Sequence, residues 1–323
     1  IGRNLHMHKK IMSLTKLQIV LIKILAKYKR TRIKRAKPGK NNIADTLTNK
    51  IILGIRDSRT AYQGPEHVVM DLTNKCQLRC NACWLYSQHL KQSKPPSFWL
   101  QQELPYPAAK SFIEEAADMG LTILRFTGGG EPLLYKKIFE LMALSKSKKI
   151  KTCLTTNFFG LDKNQVKNIA ELKLDEITVS LWAPDADTYI KTHPGTKKED
   201  FFRISENLSC LNSIKSKDTK VTIANVITSD NFDTVLDMAK FAKQALADSV
   251  YFTLADTFKG ETDSLLLNAL QLARLKSDFK AVQSSLSNSS IEIENLSGFI
   301  SRLESDSLPG YYLSLIHISE PTR

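Results

Sequence analysis

Short apolar runs rich in β-branched and aromatic residues recur along the chain from residue 67 onward. Most of these runs are apolar at successive positions rather than at every second one. This pattern is typical of strands that are covered on both faces, as in a parallel sheet. The predicted strands are residues 67–73, 123–128, 151–157, 176–182, 220–228 and 249–256.

Helix-like segments separate the predicted strands. Gly120, directly after the first of these predicted helices, is typical of a helix C-cap. The predicted helices are residues 108–119, 136–149, 163–172, 199–214, 232–247 and 266–286. Six strand–helix units in succession predict an α/β fold, a partial (β/α)6 TIM-type barrel with parallel strands, and a doubly wound sheet is the alternative. In such barrels the loops that follow the carboxyl ends of the strands form the functional site.

The net charge of +13 belongs to the amino-terminal end of the chain. Fourteen of the 46 Lys and Arg residues lie in residues 1–50, where Asp45 is the single acid, and the other 32 are balanced by 32 Asp and Glu. The excess charge therefore describes a basic arm and makes no strong case for a nucleic-acid partner of the folded body.

Residues 14–30 of this arm predict an amphipathic helix whose basic residues form one stripe. Its apolar run is interrupted at Lys23 and is shorter than the about 20 residues that a membrane span needs. Three roles stay open for it: docking on the protein body, lying on an anionic membrane surface, or binding an anionic partner.

Five cysteines, three of them clustered, do not fit a secreted disulfide scaffold and favour the reducing cytoplasm. We expect four regions along the chain: a basic arm with a helix and a linker (1–64, the linker over 31–66), the α/β core (65–286), the start of a C-terminal extension (287–312), and a non-native tail (313–323). The tail, LSLIHISEPTR, resembles a translated sequencing-library adapter.

The three clustered cysteines lie in the loop after the first predicted strand: Cys76, Cys80 and Cys83. Soft thiolates favour zinc or an iron–sulfur cluster. A structural zinc site normally has four ligands, and the fourth would have to be His89 or a distant residue, since Cys153 and Cys210 are predicted core residues. A 4Fe–4S cluster held by three cysteines leaves one iron open to a small molecule.

The CxxxCxxC spacing of CQLRCNAC, together with TGGGEP after the second strand, resembles the signature of the radical S-adenosylmethionine (radical SAM) superfamily over about residues 65–285. The resemblance implies a 4Fe–4S cluster on the three cysteines, with SAM chelated at the open iron. It implies reductive cleavage of SAM to a 5′-deoxyadenosyl radical that abstracts hydrogen from a substrate. It also implies an electron donor such as flavodoxin or ferredoxin.

The same resemblance indicates SAM-binding residues. Gly129, Gly130 and Glu131 match a motif that contacts the SAM amino group, and Gly128 precedes them. Glycine lets the backbone approach a ligand closely and adopt positive φ; a tight strand-to-helix turn is the alternative. Asn157 and Ser180 lie at positions that contact the SAM ribose or carboxylate in relatives, and each could instead be a helix N-cap or a strand-end residue.

Two positions depart from common family patterns. Ala82 stands where many members have an aromatic residue before the last cysteine, although Trp84 follows that cysteine and could compensate or cap the barrel. Trp182 stands where an acidic residue is common, which puts a ribose contact there in doubt.

Other residues are candidates by position. Asn225 in the fifth strand and Asp256 at the end of the sixth could line a substrate pocket. His193 could bind the SAM carboxylate or be a solvated loop residue. The long, proline-rich segment 91–105 could form a lid.

The order and spacing of the barrel resemble members that carry a cysteine-rich C-terminal extension of the SPASM or Twitch type with auxiliary clusters, which often modify peptides or proteins. We therefore favour peptide or protein modification. The alternative is a non-catalytic protein, stabilised by zinc or an iron–sulfur cluster, that binds nucleic acid or membrane through its basic arm. The sequence identifies no hydrogen donor and no particular substrate.

Overall fold

The computed structural model of the protein describes residues 43–59, 62–286 and 291–304. These residues divide between Gln63 and Gly64 into two compact units. The first contains helix α1 (Ile43–Asp57), so part of the segment predicted as a linker, 31–66, is helical. The predicted helix over 14–30 and the tail over 313–323 lie outside the described residues.

The second unit is built on one seven-stranded sheet whose strands lie in chain order and pair in parallel. The strands are β1 (His67–Asp71), β2 (Ile123–Thr127), β3 (Lys151–Thr156), β4 (Glu176–Ser180), β5 (Lys220–Ile227), β6 (Ser249–Leu254) and β7 (Glu292–Ile293). This confirms the predicted α/β class with a partial barrel of parallel strands. The two-residue strand β7 extends it beyond the six predicted strands.

Helices connect the strands. They are α2 (Ser97–Leu100), α3 (Tyr106–Asp118), α4 (Ile138–Ser147), α5 (Lys163–Glu171), α6 (Ala186–Thr192), α7 (Lys198–Ile214), α8 (Val235–Gln244), α9 (Ala269–Leu286) and α10 (Leu296–Glu304). The predicted helix over 232–247 begins instead with a 3-10 turn, Phe232–Thr234. A second 3-10 turn, Asp263–Leu265, precedes α9, which begins at Ala269 rather than at residue 266. None of the helices in the described ranges is long and apolar enough to cross a bilayer.

Helix α6 is absent from the sequence prediction because it has only seven residues. Its start is fixed by Asp185, whose carboxylate accepts hydrogen bonds from the Thr188 N–H at 2.8 Å and the Thr188 hydroxyl at 3.1 Å. Such N-cap bonds satisfy donors that a helix leaves unpaired at its first turn. This short helix matters because its carboxyl end lies against the cysteine loop.

One face of the sheet packs against helices. Phe252 of β6 is fully buried and its ring lies 5.3 Å from that of Phe279 in α9 and 6.1 Å from that of Phe299 in α10. Asn225 pairs in register with Phe252, and neighbouring residues in a parallel pair share a face. The prediction that Asn225 lines a pocket inside the barrel is therefore wrong: it lies on the helix-facing side.

The opposite face forms the interior of the partial barrel and is polar. Arg125 of β2 pairs with Glu176 of β4 at 2.6 Å, and Lys151 of β3 binds the same carboxylate. Burial raises the pKa of the Glu176 carboxyl, but the hydrogen bonds from Lys151 and Arg125 outweigh this effect and lower the pKa to about 2. The Cys153 thiol lies 3.5 Å from this carboxylate and is fully buried, which confirms that it is a core residue.

Candidate active site

The three clustered cysteines lie in the loop after β1 as half-buried free thiols. Burial raises the pKa of Cys76 to about 11, and it raises the pKa values of Cys80 and Cys83 as well. The neighbouring thiols contribute to the raised pKa values of Cys76 and Cys80. Iron would have to displace these protons, because the thiolate is the metal ligand.

Hydrogen-bond donors already point at two of the sulfur atoms. The backbone N–H groups of Leu85 and Tyr86 each lie 3.4 Å from Cys83 Sγ. The Asn157 amide nitrogen lies 3.8 Å from Cys76 Sγ. Donors of this kind stabilise thiolate charge and tune iron–sulfur clusters.

Within the described ranges, no three His, Cys, Asp or Glu side chains converge on the position of a single metal ion. A cluster held by three cysteines does not need such convergence, because each thiolate binds a different iron. The donor set is purely sulfur, it lies in one loop, and backbone donors surround it. These residues fit a 4Fe–4S cluster.

The glycine motif packs directly on the start of the cysteine loop. The Gly130 N–H donates to the Thr73 carbonyl at 3.0 Å, and the Glu131 N–H donates to the Lys75 carbonyl at 2.8 Å. A Cβ atom on Gly130 would lie 2.0 Å from the Lys75 carbonyl oxygen.

The other two glycines are also confined. A Cβ atom added to Gly128 would lie 2.7 Å from the Gly130 carbonyl oxygen, and one added to Gly129 would lie 2.9 Å from Asn74 Oδ1. None of the three has positive φ, so that part of the glycine prediction is wrong. At Gly129 and Gly130, glycine is required by close contact with the start of the cysteine loop, whereas at Gly128 it is required by the tight turn within the motif itself.

Glu131 is buried and its carboxylate has three donors from the chain itself. Oε1 accepts from the Thr156 hydroxyl at 2.7 Å and from the Leu133 N–H at 3.0 Å, and Oε2 accepts from the Asn157 N–H at 2.8 Å. Burial raises the pKa of Glu131 to about 6. The carboxylate thus joins the loop after β2 to the end of β3, and its contact with the SAM amino group stays a prediction.

Asn157 and Ser180 both follow or end strands at the mouth of the barrel. Asn157 comes directly after β3, and its Oδ1 accepts from the Phe159 N–H at 2.9 Å and from Gln77 Nε2 at 3.3 Å. Ser180 is the last residue of β4 and is half-buried. Neither is a helix N-cap, because Asp162 and Asp185 cap the helices that follow. Their contacts with SAM stay predictions.

His193 follows α6 and is 1% exposed. Its ring stacks on Tyr189 at a centroid distance of 4.3 Å and lies 5.4 Å from Trp182. Nδ1 lies 2.9 Å from the Thr192 hydroxyl. Burial lowers the pKa of His193 to about 4, so the ring is neutral at neutral pH. The expectation of a solvated loop histidine is wrong, and so is that of a cationic partner for the SAM carboxylate.

The predicted lid segment, residues 91–105, contains α2 and is joined to the loop after β6. The Glu261 carboxylate accepts hydrogen bonds from the Lys91 N–H, from the Ser93 N–H at 3.0 Å and from the Ser93 hydroxyl at 2.7 Å. Asp256 lies exposed two residues beyond β6. Opening and closing of this segment stays a prediction.

Two supports of the cysteine loop are absent from the sequence prediction. The Tyr86 hydroxyl donates to the Asn74 carbonyl at 2.7 Å and accepts from the Cys76 N–H at 3.2 Å. Asn81, between the second and third cysteines, is buried against α6. The sequence signals were a polar residue inside the motif, at Asn81, and an aromatic residue three positions after its last cysteine, at Tyr86.

A parallel partial barrel with three free thiols in the loop after its first strand defines a class of enzyme that binds an iron–sulfur cluster at the barrel mouth. The sequence model of the radical SAM superfamily matches residues 70–242. The chain belongs to this superfamily, whose members use a 4Fe–4S cluster and SAM.

Individual relatives agree with this assignment. GTP 3′,8-cyclase of Chlorobaculum tepidum is 32% identical over 174 residues, which cover 53% of this chain and 47% of the cyclase. The chain thus spans about half the length of that relative.

Solved structures share the fold. Streptococcus suis SuiB bound to S-adenosylmethionine has a TM-score of 0.58 at 19% identity, over 84% of this chain and 60% of SuiB. SuiB bound to its precursor peptide SuiA has a TM-score of 0.57 at 20% identity, over 80% of this chain and 56% of SuiB.

Replacing Gly130 with Ala should force the glycine motif away from the cysteine loop. We expect a loss of stability of about 1–3 kcal/mol, as for other overpacked sites, and a lower iron and sulfide content after anaerobic reconstitution. Gly298→Ala is the matched control, because it lies in α10 with nothing within 4 Å of an added Cβ. Urea unfolding and iron analysis measure both effects, and a Gly130→Ala protein equal to wild type in both would contradict the packing argument.

The buried neutral His193 should make stability depend on pH between about 6.5 and 4. Above pH 6.5 both folded and unfolded states carry a neutral ring; as pH falls, the unfolded chain takes up the proton first, so stability falls until the folded pKa of about 4 is reached. The loss should total about 3 kcal/mol. Urea unfolding of wild type and His193→Phe across this range should show a shallower pH dependence in the variant; parallel curves would count against burial.

Proposed function

We propose that the protein binds a 4Fe–4S cluster through Cys76, Cys80 and Cys83 and cleaves SAM reductively to a 5′-deoxyadenosyl radical, which abstracts hydrogen from a substrate. The observation that carries this function is the grouping of three free thiols in one loop at the barrel mouth, a loop whose first residues are hydrogen-bonded to the glycine motif. Membership of an enzyme superfamily favours it over the non-catalytic, metal-stabilised binding protein.

The surrounding residues would bind and orient the cofactors. Backbone carbonyls of residues 128–130 are acceptors suited to an ammonium group. Glu131 would hold the ends of β2 and β3 in register beside it, through its three internal hydrogen bonds. Asn157, next to Cys76, and Ser180 offer polar groups for the ribose or carboxylate of SAM.

The lid segment over 91–105 would limit the access of water to this mouth. Glu261 attaches it to the loop after β6, on the far side of the sheet from β1. The electron that reductive cleavage consumes must come from outside the site, and we assign it to a donor such as flavodoxin or ferredoxin.

The cysteine assignment is tested by substitution. After anaerobic reconstitution with iron and sulfide and chemical reduction, wild type should release 5′-deoxyadenosine from SAM. Replacing any one of the three cysteines with Ala should abolish the release, because each thiolate holds one iron. Cys210→Ala, in helix α7 and half-buried, should retain it. Cleavage that survives loss of Cys76, Cys80 or Cys83 would refute the assignment.

For the substrate we propose a peptide or protein. SuiB, which shares the fold, has been solved with its precursor peptide. The names of the cyclase relatives indicate that they act on a nucleotide, GTP. In this chain, however, the interior cations Arg125 and Lys151 are both paired with Glu176. A triphosphate would have to break these ion pairs to use the cations, which makes an anionic nucleotide the weaker candidate.

The peptide proposal can be tested with the loaded enzyme and SAM. Short peptides encoded beside the gene, incubated anaerobically, should include one whose mass changes in step with 5′-deoxyadenosine release. GTP serves as the comparison substrate. Release of 5′-deoxyadenosine that GTP stimulates, with every peptide unchanged in mass, would sink the peptide assignment while leaving the SAM chemistry intact.

A further inference from the structure

Asn81 is the buried polar residue of the cysteine loop. It lies between Cys80 and Cys83 and is 6% exposed, whereas Arg79 and Trp84 on either side of this turn are exposed. A buried amide must find hydrogen-bond partners or incur a desolvation cost. The partners of Asn81 therefore show what the loop rests on.

The side-chain Oδ1 of Asn81 accepts from Gln88 Nε2 of the same segment at 3.5 Å, and the N–H groups of Asn81 reach residues that follow two other strands. The Asn81 N–H donates to the Thr192 carbonyl at 2.9 Å. Its side-chain Nδ2 donates to the Lys191 carbonyl at 2.7 Å and to Asp230 Oδ2 at 2.9 Å. Lys191 and Thr192 form the end of α6, after β4, and Asp230 lies in the loop after β5.

The end of α6 offers acceptors that need an outside donor. The last carbonyls of a helix have no intrahelical partner. Asn81 supplies two donors to two of them, so it acts as a C-cap provided by a different loop. Its second side-chain N–H then reaches a carboxylate, and hydrogen bonds to charged acceptors are stronger than neutral ones.

Asp230 is itself held in place. Its N–H donates to the Thr228 hydroxyl at 3.1 Å. Lys191 Nζ donates to the Asp230 carbonyl at 2.8 Å and lies 3.6 Å from its carboxylate. The acceptor that Asn81 meets is therefore a fixed, charged group rather than a mobile surface carboxylate.

The sheet order explains why this contact matters. Strand β1 pairs with β2, and β4 and β5 lie three and four strands further along the sheet. The backbone hydrogen bonds of the glycine motif reach only the start of the cysteine loop, at Thr73 and Lys75. Asn81 holds the turn that carries Cys80 and Cys83, from the other side of the barrel mouth.

We propose that Asn81 is a positioning residue that fixes the Cys80–Cys83 turn, and with it one side of the bound cluster, against α6 and Asp230. The role rests on the proposed function, because it concerns the cluster that the cysteines would hold. Asn81 touches neither SAM nor substrate in this role. It acts through the two cysteines that flank it.

The test uses a pair of substitutions that exchange the polar groups. Asn81→Asp removes both side-chain donors and sets a carboxylate against Asp230. Adding Asp230→Asn restores one contact with its direction reversed, since the amide introduced at position 230 would donate to the carboxylate introduced at position 81. Asn212→Asp is the matched control: Asn212 Nδ2 donates to the Ala245 carbonyl at the end of α8, at 2.7 Å, far along the chain from the cysteines.

The readouts are the iron and sulfide content, the EPR spectrum of the reduced cluster with and without SAM, and 5′-deoxyadenosine release. We expect Asn81→Asp to lower the release about 10–100-fold, as for other residues that orient metal ligands, and to alter the spectral change on SAM addition. The double variant should recover part of both, and Asn212→Asp should match wild type in both.

Each outcome decides the proposal. An Asn81→Asp protein with wild-type spectra and release would overturn it, and so would a double variant with no recovery. If Asn81→Asp does not fold, Asp230→Ala, which leaves the loop sequence intact, should shift the spectra in the same direction, and unchanged spectra would overturn the proposal. Should wild type bind the cluster without cleaving SAM, the proposed function fails, while the iron content and spectra still decide the role of Asn81.

Discussion

The site depends on contact between two backbone segments that leave no room for a side chain. Residues 73–75, which begin the cysteine loop, lie against residues 128–131, and a Cβ atom at Gly130 would overlap the Lys75 carbonyl. Two backbone hydrogen bonds join the segments, at 3.0 Å and 2.8 Å. Because the first two strands are neighbours in the sheet, this contact ties the cysteine loop to the barrel at its first residues. The position of Cys76, directly after these residues, follows from it, whereas the Asn81 contacts hold the turn that carries Cys80 and Cys83.

Burial shifts the pKa values of the titratable groups around this contact. The thiols and Glu131 have raised pKa values because water is excluded from their charged forms. The same exclusion keeps His193 neutral. A site of this kind favours a ligand that replaces the lost solvation, and a cationic iron–sulfur core bound by thiolates does so for the cysteines. Neutral side chains elsewhere in the shell, such as the Asn157 amide, then contribute hydrogen bonds without adding charge.

Much of this could be predicted from sequence because it rests on local patterns. The six longer strands, the cysteine spacing and the glycine motif are each contained in a short window. The failures arise where the answer depends on tertiary register. Strand β5 is apolar at successive positions, so its sequence does not say which face Asn225 occupies; pairing with Phe252 does. His193 looks like a loop residue beside Pro194 and Gly195, and only its stacking on Tyr189 reveals that it is buried. Asn81 is one of several polar residues in the cysteine loop, and only the position of α6 beside it shows that it is buried.

The amino-terminal and carboxyl ends of the parallel strands carry different kinds of side chain. Toward the amino-terminal ends of β3 and β4, the Glu176 carboxylate pairs with both Lys151 and Arg125, so it offsets part of the positive charge there. At the carboxyl ends, thiols, amides and backbone carbonyls gather from the loops after four different strands. In parallel barrels the first arrangement serves the fold and the second serves the reaction. A substrate that enters at the mouth would therefore meet the cofactor-binding loops before it reaches the paired charges. The interior cations would contact it only if it extended deep into the barrel.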